Sequence, residues 1–310
     1  MTRIIHPKRN DLDRVFQFII ACDIEEFGEA DTSREDFEQQ WEEAYLDQDV
    51  WIAIDEQENI LAYAAVSLVN TRYTVELYLS GTLTPIELDR ELVKNCLDRV
   101  DGIVLGYQDE KATVVGYSSA SNARLCQLFK RSGFQEKTYH FRMQTDFDGI
   151  VEKPAWSPAY KLDAYTSNDE QELYQLITKA FDWEGHITPS LESWRWLVFR
   201  GGRYDPQYFV LVRDNGKLVA AALSYAEDTG GWIRQLAVAK DHQGKGLGGL
   251  LLRHMFWMFY QAGLSNCALG VASVNSNACQ FYEHNGMHKT RHFIEFNLEK
   301  IGLSTNGSGN

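Results

Sequence analysis

Cationic side chains are scarce: 30 Lys and Arg face 44 Asp and Glu, leaving a net charge of −14. That deficit argues against a protein that binds nucleic acid or anionic membranes through bulk charge, so neither is expected as a partner. No apolar run reaches spanning length, since the stretch from Leu250 to Tyr260 is interrupted by Arg253 and His254. The N-terminal residues regain charge before an h-region can form, so no signal peptide is expected. CxxC pairs and zinc spacings are missing. The five cysteines (Cys22, Cys96, Cys126, Cys267, Cys279) are an odd count. They read as reduced, buried thiols of a cytoplasmic protein. The histidines form no HExxH, and no metal is expected. What remains is ordinary for a globular chain: 44% hydrophobic and 24% charged residues.

The acidity is unevenly spread. Residues 1–150 hold 28 acidic and 15 basic side chains, whereas residues 151–310 hold 16 and 15. Between Asp23 and Glu58 stand 15 carboxylates and one base, Arg34. Such a run reads as a solvated face, and an anionic ligand should prefer the second half.

A repeat explains the length. Asn122-Ala-Arg-Leu-Cys-Gln-Leu-Phe129, ending at Gly133, lies 153 residues before Asn275-Ser-Asn-Ala-Cys-Gln-Phe-Tyr282, ending at Gly286. Both read as a strand, an Asn-capped helix, a glycine stop and a new strand. Upstream, Asn10-Asp11 and Asn168-Asp169 each open an amphipathic helix. Val50–Ile54 with Ile60–Leu68, and Phe209–Val212 with Leu218–Ser224, read as hairpins, the second turned by Asn215-Gly216. Each half is predicted to be a mixed, mostly antiparallel sheet with helices on both faces, an α/β (α+β) fold. The domains expected are 1–150 and 159–302, joined by a proline-bearing linker.

One loop carries chemistry. The strand Ile233–Val238 leads through Ala239-Lys240-Asp241-His242 to Gln243-Gly244-Lys245-Gly246-Leu247-Gly248-Gly249, where a helix starts. Alternate glycines let backbone N–H groups converge, and a helix N-terminus adds partial positive charge. The combination suits a diphosphate, with Lys245 as an added cation. A P-loop does not fit, because neither Ser nor Thr follows Lys245; nor does a dinucleotide fingerprint, for want of the Rossmann order.

At these residues the sequence resembles the GCN5-related N-acetyltransferase (GNAT) family. Gln243-Gly244-Lys245-Gly246-Leu247-Gly248 matches its Q/R-x-x-G-x-G/A loop, four residues after the strand. Asn275, Ala278, Tyr282, Glu283 and Gly286 match its N-x-x-A-x-x-x-Y-E-x-x-G motif. The chain departs from the family at Lys240, where Pro is usual, and at Met287, where Phe is usual. The resemblance implies two tandem GNAT folds, in a layout similar to that of mycothiol synthases, with acetyl-CoA as co-substrate. It further implies that Leu236, Ala237 and Val238 offer backbone groups to pantetheine, that Gln243 to Gly249 hold the pyrophosphate, and that Asn275 contacts the pantetheine side. Tyr282 would lie near the thioester sulfur.

The activity so implied is N-acetylation of a small-molecule primary amine by direct attack. An amine with a pKa near ~10 must lose a proton to attack, and the leaving thiolate gains from one. Tyr282 is the candidate acid. The strand before the loop carries no carboxylate, so Glu184 is the candidate base, with His186 and Glu227 as substitutes. Acetylation of a protein or peptide, or a non-catalytic acyl-CoA sensor, are the alternative functions. The oligomer is expected to be a monomer or homodimer. Trp183, Trp194, Trp196 and Trp232 read as packing residues rather than a pocket lining.

The first copy reads as degenerate. Its turn has no glycine loop, and Thr84, Pro85 and Glu87 form a self-capped helix start. Phe129 stands where the second copy has Tyr282. That copy is expected to be structural or substrate-shaping.

Overall fold

A computed structural model describes residues 2–69, 72–81, 86–107, 111–182, 188–199, 204–227 and 230–301. The elements begin with β1 (Arg3–Ile5), α1 (Leu12–Phe27), α2 (Arg34–Glu43), α3 (Leu46–Asp49), β2 (Val50–Ile54) and β3 (Ile60–Val69). They continue through β4 (Arg72–Leu79), α4 (Ile86–Tyr107), β5 (Lys111–Ser119), α5 (Ala123–Arg131) and β6 (Gln135–Asp146). The order then recurs: β7 (Tyr160–Ala164), α6 (Glu170–Ala180), α7 (Leu191–Phe199), β8 (Phe209–Asp214), β9 (Lys217–Glu227) and β10 (Gly230–Val238). The chain closes with α8 (Leu247–Gln261), β11 (Asn266–Ala272), α9 (Ser276–His284) and β12 (His288–Ile301). The short first strands β1 and β7 were not predicted; three or five residues of weak alternation give little signal.

Local chemistry recurs with the repeat. Asn122 Oδ1 accepts from the Leu125 N–H at 3.0 Å, and Asn275 Oδ1 from the Ala278 N–H at 3.2 Å. Both helices stop at a left-handed glycine, Gly133 (φ 92°) and Gly286 (φ 90°). Past each glycine, the N–H of Phe134 or Met287 returns to the carbonyl of Phe129 or Tyr282 at 3.1 Å.

Two compact units result, but they do not follow the chain. One comprises Met1–Tyr139 with His292–Asn310, the other His140–Arg291. In the first, the strand order is β1-β2-β3-β4-β5-β12; in the second, β6-β11-β10-β9-β8-β7. Only β4–β5 and β10–β11 are parallel pairs among those registered. Where the sequence repeat divides the chain near residue 150, the packing divides it inside β6 and β12. Phe293–Ile301 pair with Ser119–Lys111 in the first unit, and His140–Asp146 pair with Ala272–Asn266 in the second.

Side chains alternate between two cores in each unit. Ile52 and Ile54 of β2 join Val15 and Ile19 of α1 and Phe37 and Trp41 of α2. Trp51 and Ala53, one position offset, join Leu92 and Cys96 of α4, Phe129 of α5, and Ile294 and Phe296 of β12. In the second unit Phe209 and Leu211 face α6 and α7, whereas Val210 and Val212 face α8, with Met143 from β6. Helices therefore cover both faces of each sheet, as predicted. All five cysteines are free thiols; Cys22 is half-buried and the other four are buried. Among the described residues no helix is long and apolar enough to cross a membrane.

The acidic run is only partly a solvated face. Asp23 is 3% exposed and continues the buried stripe of Val15 and Ile19 on α1. The expected reading fails there because charge density says nothing about which helix face a carboxylate occupies.

Candidate functional site

The site grows from a parting of strands. β10 pairs with β11 only from Gly231 to Ile233, against Cys267 to Leu269, whereas it follows β9 as far as Val238. A bulge between Ile233 and Gln235 sharpens the bend. Beyond it, Leu236, Ala237 and Val238 have no partner in β11. Their backbone edge on that side is therefore not taken up by β11. One carbonyl is already taken: Val238 accepts from Gln243 Nε2 at 3.0 Å. The Gln243 side chain therefore ties the loop to the strand it leaves.

The loop's glycines serve two different ends. Gly244 (φ 71°) and Gly246 (φ 79°) are left-handed, and a Cβ at either would meet nothing within 4 Å. They are needed for backbone direction. Gly248 and Gly249 are needed for closeness. A Cβ on Gly248 would come within 3.3 Å of the Phe281 ring, and one on Gly249 within 2.8 Å of Asn285 Oδ1. The first turn of α8 thus lies against α9, and Arg253 Nη1 reinforces the contact by donating to Asn285 Oδ1 at 3.1 Å. No side chain caps α8. Its first N–H groups, which have no intrahelical acceptor, are free for an anion. Lys245 is exposed beside them, whereas Leu247 is buried and anchors the turn.

The second motif is carried by α9. Asn275 caps that helix through Oδ1, which leaves its Nδ2 donors unassigned to the cap. Tyr282 is half-buried in the core with Leu236, Val238, Ala278 and Phe281. Burial pushes its phenol well above the ordinary tyrosine range, and the nearby Cys267 and Cys279 add to the shift. The phenol therefore stays protonated throughout the neutral range. The loop, the open strand edge, Asn275 and Tyr282 converge in one unit.

A clamp behind the loop was not foreseen. His242 contacts Asp241 at 2.9 Å and Asp214 at 3.1 Å. Asp241 also holds Lys217 at 3.1 Å. The carboxylates of Asp241 and Asp214 raise the His242 pKa, and His242 with Lys217 lowers that of Asp241 to about 2. Nothing local in the sequence links Asp214, in a hairpin, to His242. The folded imidazole holds its proton more tightly than the unfolded one. Its contribution to stability is complete below the unfolded value of about 6.5 and is lost as pH rises through the raised folded value. Between about pH 6 and about pH 9, the melting temperature should therefore fall more for the wild type than for His242→Gln. Superimposable profiles would show that the clamp carries no weight.

Some expected residues are not placed. Glu184, His186 and Trp183 lie outside the described residues, as do Thr84 and Pro85. Glu227 ends β9 and is half-buried. Trp194 is 1% exposed and donates from Nε1 to Gln235 Oε1 at 3.0 Å, a packing role. Trp196 is 41% exposed, and Trp232 lies under the Arg142 guanidinium at 5.4 Å.

The first copy keeps the asparagine cap but differs at the helix start and at the tyrosine. α4 opens with Glu87 and Asp89 in its first turn. Asp89 is 2% exposed and held by Arg124 through two bonds, at 2.9 and 3.0 Å. Phe129, at the position of Tyr282, is fully buried and stacks on Phe296 at 5.3 Å.

The fold has counterparts among known structures. No curated protein matches the chain. Among solved structures, a GCN5-related N-acetyltransferase from Sphaerobacter thermophilus superposes with a TM-score of 0.82 at 23% identity, covering 98% of each chain. A tandem GNAT protein from the clavulanic acid biosynthesis pathway covers 100% of both chains with a TM-score of 0.69 at 10% identity. A GCN5-related glucosamine N-acetyltransferase region of a fungal multi-domain β-N-acetylglucosaminidase covers 96% of this chain and 38% of its own, with a TM-score of 0.66 at 16% identity. At these identities the likeness is one of fold. Residues 170–287, the stretch that holds the loop, the parted strands and Tyr282, match the Acetyltransferase (GNAT) family.

Proposed function

We propose that the second copy transfers an acetyl group from acetyl-CoA to the primary amine of a small molecule, and that the first copy does not catalyse. The observation that carries this reading is the start of α8, where uncapped N–H groups and left-handed glycines meet an open strand edge. The residues fit an acyl-CoA. Backbone N–H groups from Gln243 to Gly249 would take the pyrophosphate, with Lys245 adding charge. The Leu236–Val238 edge and Asn275 would take the amide-bearing pantetheine arm. The tandem layout resembles that of mycothiol synthases.

The reaction needs little more from the protein than position and one proton path. The neutral amine attacks the thioester carbon, a C–N bond forms and the C–S bond breaks. The proton lost by nitrogen ends on sulfur. Tyr282 serves this exchange as the donor to the leaving thiolate. Because its phenol is held protonated, it hydrogen-bonds the developing sulfur anion and passes a proton only as one returns to it from nitrogen or solvent. Glu184 is the proposed base for the incoming ammonium, acting through water.

Thiol release from acetyl-CoA, measured against a panel of small amines and peptides, tests the reading. Release should require a small amine, and Tyr282→Phe should lower kcat about a hundredfold while leaving CoA affinity within about twofold. Equal losses in rate and affinity would remove the donor role. Release only with peptides would assign a protein acceptor. Tight CoA binding without release under any condition would make the protein a sensor.

A further inference from the structure

The first unit keeps a parting of parallel strands but puts it to a different use. β4 and β5 pair only from Tyr73 to Val75, against Val114 to Gly116. Where they separate, a cavity of about 600 Å³ opens, lined by the end of α1, the outer half of β4 and the end of β5. That volume suits a small organic molecule.

Its chemistry is one-sided. Asp23, Glu25, Glu26, Asp31 and Glu76 line it, and no Lys, Arg or His does among the described residues. Three of these carboxylates stand near the C-terminus of α1, which has no basic residue in its last turn. Helix carbonyls there already supply negative potential, and cations are the stabilising choice. Asp23 is 3% exposed; its Oδ2 accepts from the N–H groups of Asp31 and Thr32 at 3.0 and 2.9 Å. Glu76 accepts from Gln40 Nε2 at 2.9 Å. Neither makes an ion pair among the described residues. Burial raises the pKa of both carboxyls. Asp23 is buried and Glu76 half-buried, and the hydrogen bonds they accept are all from neutral groups, which leave their charge uncompensated. Among the described residues, the lining supplies no cation to meet them. No three of these groups converge as a metal would need among the described residues, and Leu77, Leu79 and Leu125 give the cavity an apolar side.

We propose that this cavity binds a small organic ammonium compound, its cationic group facing Asp23 and Glu76 and its apolar body against the leucines. The site is distinct from the acyl-CoA loop and does not rest on the reading of that loop. It excludes a second CoA by charge.

Calorimetric titration of the full chain with benzylamine, without acetyl-CoA, tests this. One site per chain is expected, with benzyl alcohol and Glu76→Gln each weakening binding at least about tenfold, the worth of one charge-assisted hydrogen bond. Gly246→Glu, in the other copy, should leave benzylamine binding unchanged even where it removes CoA binding. Should Glu76→Gln not fold, Glu25→Gln on the exposed rim should still weaken binding measurably. No saturable binding up to about 10 mM would overturn the proposal. So would equal affinity for benzyl alcohol, binding insensitive to both variants, or binding lost in Gly246→Glu. Displacement of benzylamine by calcium chloride at equal concentration would assign the cavity to a metal instead, and would also overturn it.

Discussion

Gly246→Glu should abolish CoA binding, by about a hundredfold or more, and leave the protein folded. Two effects act together at this position. Gly246 sits at φ 79° as the first, uncapped boundary residue of α8. An L-residue there costs about 1–2 kcal/mol of backbone strain. The strain is local, because a Cβ would meet nothing within 4 Å. The added carboxylate then competes for the N–H groups that the pyrophosphate requires, and repels it. The first copy already carries acidic side chains at the corresponding helix start, Glu87 and Asp89 in the first turn of α4. Gly246→Ala carries the strain without the charge and should weaken binding much less. Titration of CoA into both variants, with circular dichroism as a check on folding, separates the two effects. Undiminished binding by Gly246→Glu would move the donor site elsewhere.

Cutting the chain at the sequence repeat should prevent the first unit from folding. A fragment ending at residue 150 lacks β12, which pairs with β5 from Phe293 to Ile301. It also lacks Phe296, fully buried against Phe129, and Glu295, 4% exposed and paired with Arg72 at 2.9 Å. Loss of one such phenylalanine costs about 3–5 kcal/mol. Loss of the Glu295 carboxylate leaves the Arg72 guanidinium without that ion pair. A whole domain commands only about 5–15 kcal/mol. The fragment should therefore show no cooperative unfolding transition, whereas Phe296→Ala in the full chain should lower stability by about 3–5 kcal/mol in denaturant titration. A cooperative fragment would show that β12 is dispensable to the first unit.

Much of this architecture was legible because it rests on local chemistry. Asn122 and Asn275 announce helix starts, Gly133 and Gly286 helix stops, and Asn215-Gly216 a hairpin, wherever they occur. The placement of β6 and β12 was not legible. A strand with one buried face shows the same alternation whichever sheet receives it, so register pairs such as Phe296 with Gly116 leave no local trace. The glycine loop was visible, but half of its reason was not. Gly248 and Gly249 are small because Phe281 and Asn285, more than thirty residues later, lie against them.

The acidic run shows a different limit. Fifteen carboxylates in a short stretch mask the few that matter. The usable signal was Asp23, four residues after Ile19 and eight after Val15, on a stripe where an apolar residue belongs. Glu76 came from a separate strand and gave no such signal. The clamp of Asp214 on His242 was hidden for the same reason, since hairpin and loop meet only in the folded chain.

The central claim is that one copy, the second, holds the acyl donor. A crystal structure of the full chain with acetyl-CoA tests it most directly. The account predicts one acetyl-CoA per chain, its pyrophosphate on the N–H groups between Gln243 and Gly249 and its sulfur beside the Tyr282 hydroxyl. Acetyl-CoA in the acidic cavity of the first unit, or a sulfur out of reach of Tyr282, would contradict it.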